Sequence, residues 1–199
     1  MNRIIFLMMF LMSLFSFPID ITGPNYRLDL NVAAGYRPNS HRDNNMLSEG
    51  DHNNLDIEVG FSPEWTLKIN DKFDIVFGPK LTLNSFTTLR KSENDNTKHF
   101  FIGISSGVRV DFDYILKKNI KLYTGLETAL TVRPDVHVGS TKVNNSYISL
   151  NMHPTALARF AIGTKIKRYN VGLYTEYGLN KELVGGIEVG YSFSVGREK

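Results

Sequence analysis

Histidines and carboxylates are the residues of this sequence that could bind a metal ion. The five histidines are His41, His52, His99, His137 and His153. With Asp43 and Asp51 they offer imidazole and carboxylate ligands, but no pair of them has the spacing of a metal motif. We predict no metal site and no cofactor, and interpret the histidines as part of polar loops and outer strand ends.

A second possible chemistry is hydroxyl activation by a histidine. His153 and Thr155 are the candidate base and nucleophile, separated by Pro154. Such a pair needs hydrogen-bond reach and a third group to orient the base, and the sequence shows neither. We therefore predict that the chain is not an enzyme.

Composition excludes several other classes of function. The chain has no cysteine, which excludes disulfides, thiolate metal sites and cysteine nucleophiles. Its net charge is +3, and the charges of both signs interleave along the chain, so no nucleic-acid partner is expected.

The charged residues alternate with apolar residues, which is the pattern of β-strands. Residues 26–37 and 55–68 alternate most regularly, and six further segments are predicted near 73–87, 100–114, 120–133, 147–166, 171–179 and 184–195. The segments of about a dozen residues match the length that crosses a bilayer at a tilt. This predicts an all-β, up-and-down antiparallel barrel of about eight strands.

The connections between these segments differ in length in an alternating way. Asn39–Asn54, Leu89–Lys98 and Pro134–Ser146 are long and polar, whereas 70–72, 115–119 and 167–170 are short. Membrane barrels have short periplasmic turns and long external loops. The short connection around Asn180-Lys181-Glu182 is the exception.

Glycine decides which face of the strands is the interior. A lipocalin-like soluble barrel has an apolar interior, but here almost all strand glycines share the charged face, with Gly185 as the main violation. A narrow eight-stranded lumen needs small residues beside long charged ones. The predicted lumen charges are Arg27, Asp29, Asp56, Glu58, Glu64, Lys80, Arg109, Asp111, Glu127, Arg133, Arg159, Lys165, Glu176 and Glu188.

Aromatic residues support the same orientation, because tyrosine and tryptophan gather at membrane interfaces. Those predicted near the periplasmic strand ends are Tyr26, Trp65, Phe73, Phe112, Tyr114, Tyr191 and Phe193. Pro63 and Pro79 do not suit the interior of a strand, because a proline there removes a hydrogen-bond donor from the ladder. A three-residue turn at 70–72 would place them opposite each other, so we predict one shared bulge or irregularity. Pro154 poses the same difficulty in the sixth strand.

The N-terminus has the pattern of a secretory signal peptide. Arg3 supplies a positive charge, and an apolar run from Ile4 to Phe15 follows it. We expect residues 1–16 to be the signal, with an uncleaved anchor helix as the alternative, and residues 17–199 to form the barrel domain.

With alternating strands, inward glycine and a final strand Ile187–Val195, the mature chain resembles the small eight-stranded outer-membrane barrels typified by the OmpA transmembrane domain and OmpX. The resemblance implies a location in the outer membrane of a diderm bacterium, with outer-membrane lipid and the barrel-assembly machinery as partners. The predicted role is structural or adhesive: a plugged lumen, and external loops that contact host or cell-surface ligands.

Three alternatives remain open. Paired lumen charges could line a narrow, porin-like solute path. His153-Pro154-Thr155 resembles the His-x-Ser of the lipid A deacylase barrels, with Thr155 where serine is expected. An exported lipocalin-like barrel is the third.

Overall fold

The computed structural model of the chain describes residues 20–37, 52–89, 98–138, 148–179 and 183–194. The predicted signal segment and most of the long connections, with His41, Asp43 and Asp51, lie outside these residues. For His52, His99, Arg133, His137 and His153 the structure describes the backbone only.

Eight antiparallel strands close into one barrel, each hydrogen-bonded to its neighbours in the chain and β1 to β8. The strands are β1 Asp20–Arg37, β2 His52–Asn70, β3 Phe73–Leu89, β4 Lys98–Lys117, β5 Ile120–Val138, β6 Ile148–Ile166, β7 Tyr169–Gly178 and β8 Leu183–Phe193. This confirms the predicted fold class. Among the described residues, no helix is long and apolar enough to span a membrane.

The polarity of this barrel is the reverse of that of a soluble barrel, because its outer face is apolar and its inner face is charged. Large apolar side chains are exposed on the outside of every strand, for example Leu30, Leu83, Leu130 and Leu173. Charged side chains are buried inside, for example Glu188, which is 0% exposed. The lipocalin alternative is therefore wrong, because its interior would be apolar.

The two ends of the barrel are built differently. At the turn end, two-residue turns at Asp71-Lys72, Lys118-Asn119 and Lys167-Arg168 join the strands. The connections 38–51, 90–97, 139–147 and 180–182 leave from the opposite end, which we call the loop end. The turn predicted to span the three residues 70–72 has two residues in the structure. A register shift between Lys68 and Asn70 provides the one-residue offset that keeps the apolar side chains of β2 and β3 on the same face.

Pro63 and Pro79 interrupt the ladder between β2 and β3. Pairing runs to Phe61↔Leu81 and resumes at Trp65↔Phe77 with the same register, so the irregularity contains no extra residue and is not a bulge. Facing prolines have no backbone N–H to donate between them. The strands approach closely here: a Cβ on Gly78 would collide with the Pro63 carbonyl oxygen, so only glycine fits.

One hairpin separates from both neighbouring strands at the loop end. Among the described residues, β4–β5 pairing ends at Ile104↔Val132 and β6–β7 pairing ends at Leu157↔Gly178, whereas β5–β6 pairing continues to Val138↔Ile148. Pro134, predicted to begin a loop, instead lies within β5. Pro154 lies in the part of β6 that extends past β7, so it removes no donor from that ladder.

Candidate functional site

The interior of the barrel is the candidate site, because it concentrates buried charge. Of the predicted lumen residues with described side chains, all but Lys165 have at most 8% of their surface exposed. The Lys165 side chain is 16% exposed. Strand alternation places these side chains inward, and glycines beside them leave the necessary room.

A central cluster of Arg27, Asp29, Arg109, Asp111 and Glu188 crosses the lumen. Arg109 on β4 binds both carboxylate oxygens of Glu188 on β8, at 2.9 and 2.7 Å. Its Nε donates to Asp111 Oδ1 at 2.7 Å. Arg27 donates to Asp29 at 2.6 Å and to Asp111 at 2.8 Å, so it connects β1 with β4.

An outer cluster lies next to it toward the loop end. Arg159 on β6 donates to Glu58 on β2 at 2.6 Å and to Glu176 on β7 at 2.5 Å. Lys80 on β3 donates to Glu127 on β5 at 2.8 Å. In an eight-stranded ring β2 and β6 stand opposite each other, so Arg159 and Glu58 also bridge the full width of the lumen.

A third cluster, nearest the turn end, contains residues that the predicted lumen set omitted. Lys121 binds Asp74 at 2.7 Å, and Lys165 binds Asp113 at 2.8 Å and Asp111 at 2.9 Å. Asp74, Asp113 and Lys121 sit at positions where the alternation of β3, β4 and β5 simply continues to the strand end. That continued alternation is the signal that could have found them.

Two buried tyrosines, also absent from the predicted set, pack between the charges. The Tyr123 hydroxyl donates to Glu188 Oε1 at 2.5 Å, and Arg109 and Lys165 lie over its ring at 5.8 and 5.2 Å. The Arg159 guanidinium lies 4.3 Å from the Tyr174 ring centroid. Ring faces attract cations, so the tyrosines stabilise the guanidinium groups while filling the cross-section.

Beyond the outer cluster the buried polar side chains are mostly uncharged, although the carboxylate of Asp56 lies among them. Ser105 and Thr131 share a hydrogen bond of 2.8 Å between their hydroxyls. Thr155, the candidate nucleophile, is 8% exposed on the inner face of β6. A lipid substrate would contact the outer wall, so Thr155 is on the wrong side for lipid chemistry. Among the described residues, no group of three or more His, Asp or Glu side chains is placed to hold a metal ion.

The aromatic residues predicted at the membrane interface lie around the turn end. Tyr26 stacks on Phe193 at 5.8 Å between ring centroids, and Phe73 on Phe112 at 6.4 Å. Trp65 stacks on Phe77 at 6.4 Å. Tyr191 contacts Tyr169 and Phe193, while Tyr114 is 45% exposed. The predicted set omitted Phe61, Phe77 and Tyr169, which belong to the same stacks.

No family model matches the sequence, and no curated protein matches it. Solved structures do match in fold. Neisserial surface protein A is 14% identical, with 88% of this chain and 99% of that chain covered and a TM-score of 0.51. The outer membrane enzyme PagL is 11% identical over 84% of this chain and 99% of that chain, with a TM-score of 0.48.

Ail, the attachment invasion locus protein of Yersinia pestis, was solved in complex with the heparin analogue sucrose octasulfate. It is 9% identical over 86% of this chain and 99% of that chain, with a TM-score of 0.42. The likeness to Neisserial surface protein A concerns the fold, and together with the closed barrel of eight strands it confirms the predicted resemblance: this chain has the fold of the small eight-stranded outer-membrane barrels.

Proposed function

We propose that this chain is an integral outer-membrane protein whose lumen is closed by ion pairs and whose activity lies at the loop end. The observation that carries the proposal is the inverted polarity of the barrel. Exposed leucine, isoleucine and valine encircle the outside, while paired charges fill the inside. In water this arrangement would expose a large apolar surface, whereas in a bilayer the same surface is buried in lipid.

The burial of the interior charges supports a closed lumen. Arg109, Glu127 and Arg159 have at most 5% of their surface exposed, although all three lie on the inner wall. In an open, water-filled pore such side chains would be wetted. The bridges Arg109–Glu188 and Arg159–Glu58 each cross from one wall to the opposite wall, so they favour a plug over the narrow solute path.

The loop end is the part available for surface interaction. The rigid barrel supports the long polar connections, and function commonly lies on loops held by such scaffolds. The β5–β6 hairpin belongs to this end, and its outermost part has strand partners on neither flank among the described residues. We infer an adhesion-type role in which the connections 38–51 and 139–147 contact host or cell-surface molecules.

The location is tested first. The full chain, with its N-terminal segment, is expressed in a diderm bacterium and its membranes are fractionated. We expect it in the outer membrane, with faster SDS-gel migration before boiling than after, because the closed barrel resists SDS. A soluble periplasmic protein would contradict the proposal.

The adhesive role is tested by shortening the loop end. One variant replaces residues 40–50 and 139–147 with short glycine–serine linkers, and a matched control replaces Asp71-Lys72 at the turn end with Asn-Gly. We expect the first variant to insert normally but to lose binding to host cells, and the control to retain it. Equal binding by both variants and the wild type would contradict the adhesive role.

A further inference from the structure

The turn end carries a concentration of positive charge. Each of its three turns, together with the strand residues beside it, carries two exposed cations, namely Lys68, Lys72, Lys117, Lys118, Lys167 and Arg168. The exposed acidic residues at this end are Asp20 and Asp71, and Asp20 lies 3.9 Å from Lys68. The turn end of the described chain is therefore strongly basic. By contrast, basic and acidic residues are nearly balanced in the sequence of the loop-end connections. The basic residues there are Arg42, Arg90, Lys91, Lys142 and Lys181, and the acidic residues are Asp43, Glu49, Asp51, Glu93, Asp95 and Glu182.

The cations occupy three of the four places around the circumference of the turn end. The turns join β2 to β3, β4 to β5 and β6 to β7, so a basic turn follows every second strand of the ring. The fourth place is taken by the ends of β1 and β8. We call this set of six residues the basic rim.

Each turn also has an exposed apolar residue directly beside its cations. Ile69 follows Lys68 and is 50% exposed, Leu116 precedes Lys117 and is 51% exposed, and Ile166 precedes Lys167 and is 51% exposed. Exposed Tyr114 on β4 and Tyr169 on β7 lie within a few residues of these turns. The basic rim thus directly borders the exposed apolar outer wall and the aromatic stacks.

We propose that the basic rim binds the headgroups of anionic phospholipids in the leaflet that meets the turn end. This inference rests on the proposed function, since it requires the barrel to span a bilayer. A phospholipid offers both parts that the rim contacts: a phosphate for the lysine and an acyl chain for the neighbouring isoleucine or leucine. A soluble polyanion offers only the negative charge, so the apolar residues beside the cations favour a lipid as the ligand.

Electrostatics supports the same partner. A lysine near an anionic membrane surface contributes about 1 kcal/mol, and long cationic side chains reach the interface while their stems remain on apolar surface. Six cations around one rim would gather a shell of anionic lipid. Charge spread over three turns also favours many small headgroups over a single compact ligand.

Spin-labelled phosphatidylglycerol and phosphatidylcholine provide the test. The wild-type protein is reconstituted in phosphatidylcholine bilayers, and the fraction of each label immobilised by the barrel is measured by electron paramagnetic resonance. We expect a phosphatidylglycerol preference of about fivefold, equal to the ~1 kcal/mol of one lysine contact, which falls toward one at high salt.

Two charge-changing variants locate the effect. Lys72→Gln, Lys117→Gln, Lys118→Gln and Lys167→Gln are combined, and we expect this variant to lose the preference, whereas lysine-to-arginine changes at the same four positions retain it. The matched control combines Arg90→Gln, Lys91→Gln, Lys142→Gln and Lys181→Gln at the loop end and should also retain it.

Several outcomes would overturn the inference: no preference in the wild type, an unchanged preference in the turn-end glutamine variant, or an equal loss in the loop-end control. Binding of soluble polyphosphate to the rim without lipid selectivity would also overturn it. The wild-type measurement and its salt dependence decide the matter even where the glutamine variant does not fold. A barrel that inserts but shows no preference rejects this inference alone, whereas failure to insert rejects the proposed function.

Discussion

Arg109 and Glu188 face each other from opposite walls of the barrel and are joined by two hydrogen bonds, of 2.9 and 2.7 Å. Such a bidentate pair is the strongest geometry available to an arginine and a carboxylate. Tyr123 supports it by donating to the same carboxylate. The pair spans the lumen at its centre and links β4 to β8.

Breaking this pair from one side is expected to be costly. Glu188→Ala leaves the buried Arg109 without its main partner, and we expect a loss of about 3–5 kcal/mol in the free energy of unfolding. The double variant Arg109→Met/Glu188→Leu removes both charges and should be less destabilised than Glu188→Ala. Urea unfolding in lipid vesicles, followed by the fluorescence of Trp65, measures both. A single variant as stable as the wild type would contradict the importance of the pair.

The outer cluster is expected to control ion passage. The wild-type protein should show no steady conductance in a planar bilayer. Arg159→Ala combined with Glu58→Ala removes the second bridge across the lumen and should produce small, measurable openings. The control Lys68→Ala changes an exposed residue of the turn end and should stay silent. Steady conductance by the wild-type protein would contradict the plugged lumen and would support the alternative of a narrow pore.

Glycine at position 172 is expected to be required by packing. A Cβ there would collide with the Tyr123 hydroxyl, which is already held by Glu188. We expect Gly172→Ala to cost about 1–3 kcal/mol, the usual range for overpacking. Gly185→Ala is the matched control, because a Cβ there meets only the Tyr174 carbonyl oxygen, at 4.0 Å. Similar unfolding free energies for the two variants would show that the interior adapts freely.

A lysine on the outer wall distinguishes lipid from water as the surroundings. Leu173 is 62% exposed and lies mid-strand in β7. In a bilayer we expect Leu173→Lys to destabilise the barrel by about 2–4 kcal/mol, with a much smaller effect for Leu116→Lys near the interface. Chemical unfolding in vesicles gives both values. If neither substitution lowers stability, the outer wall does not face hydrocarbon.

Local sequence determined which residues face inward, because strand geometry sends successive side chains to opposite faces and glycine marks the crowded side. Arg27, Glu58 and Arg159 could therefore be assigned to the interior before any partner was known. Asp74, Asp113, Lys121 and Tyr123 followed the same alternation but were omitted where the strands approached their turns.

The tertiary structure decided which charged side chains pair with each other across the lumen. Arg159 and Glu58 are 101 positions apart in the chain, and they meet only because the barrel closes and its strands take a particular stagger. Closure depends on all eight strands at once, and no local pattern encodes it. The same holds for the basic rim: the sequence shows three pairs of cations, and only the closed ring brings them to one edge.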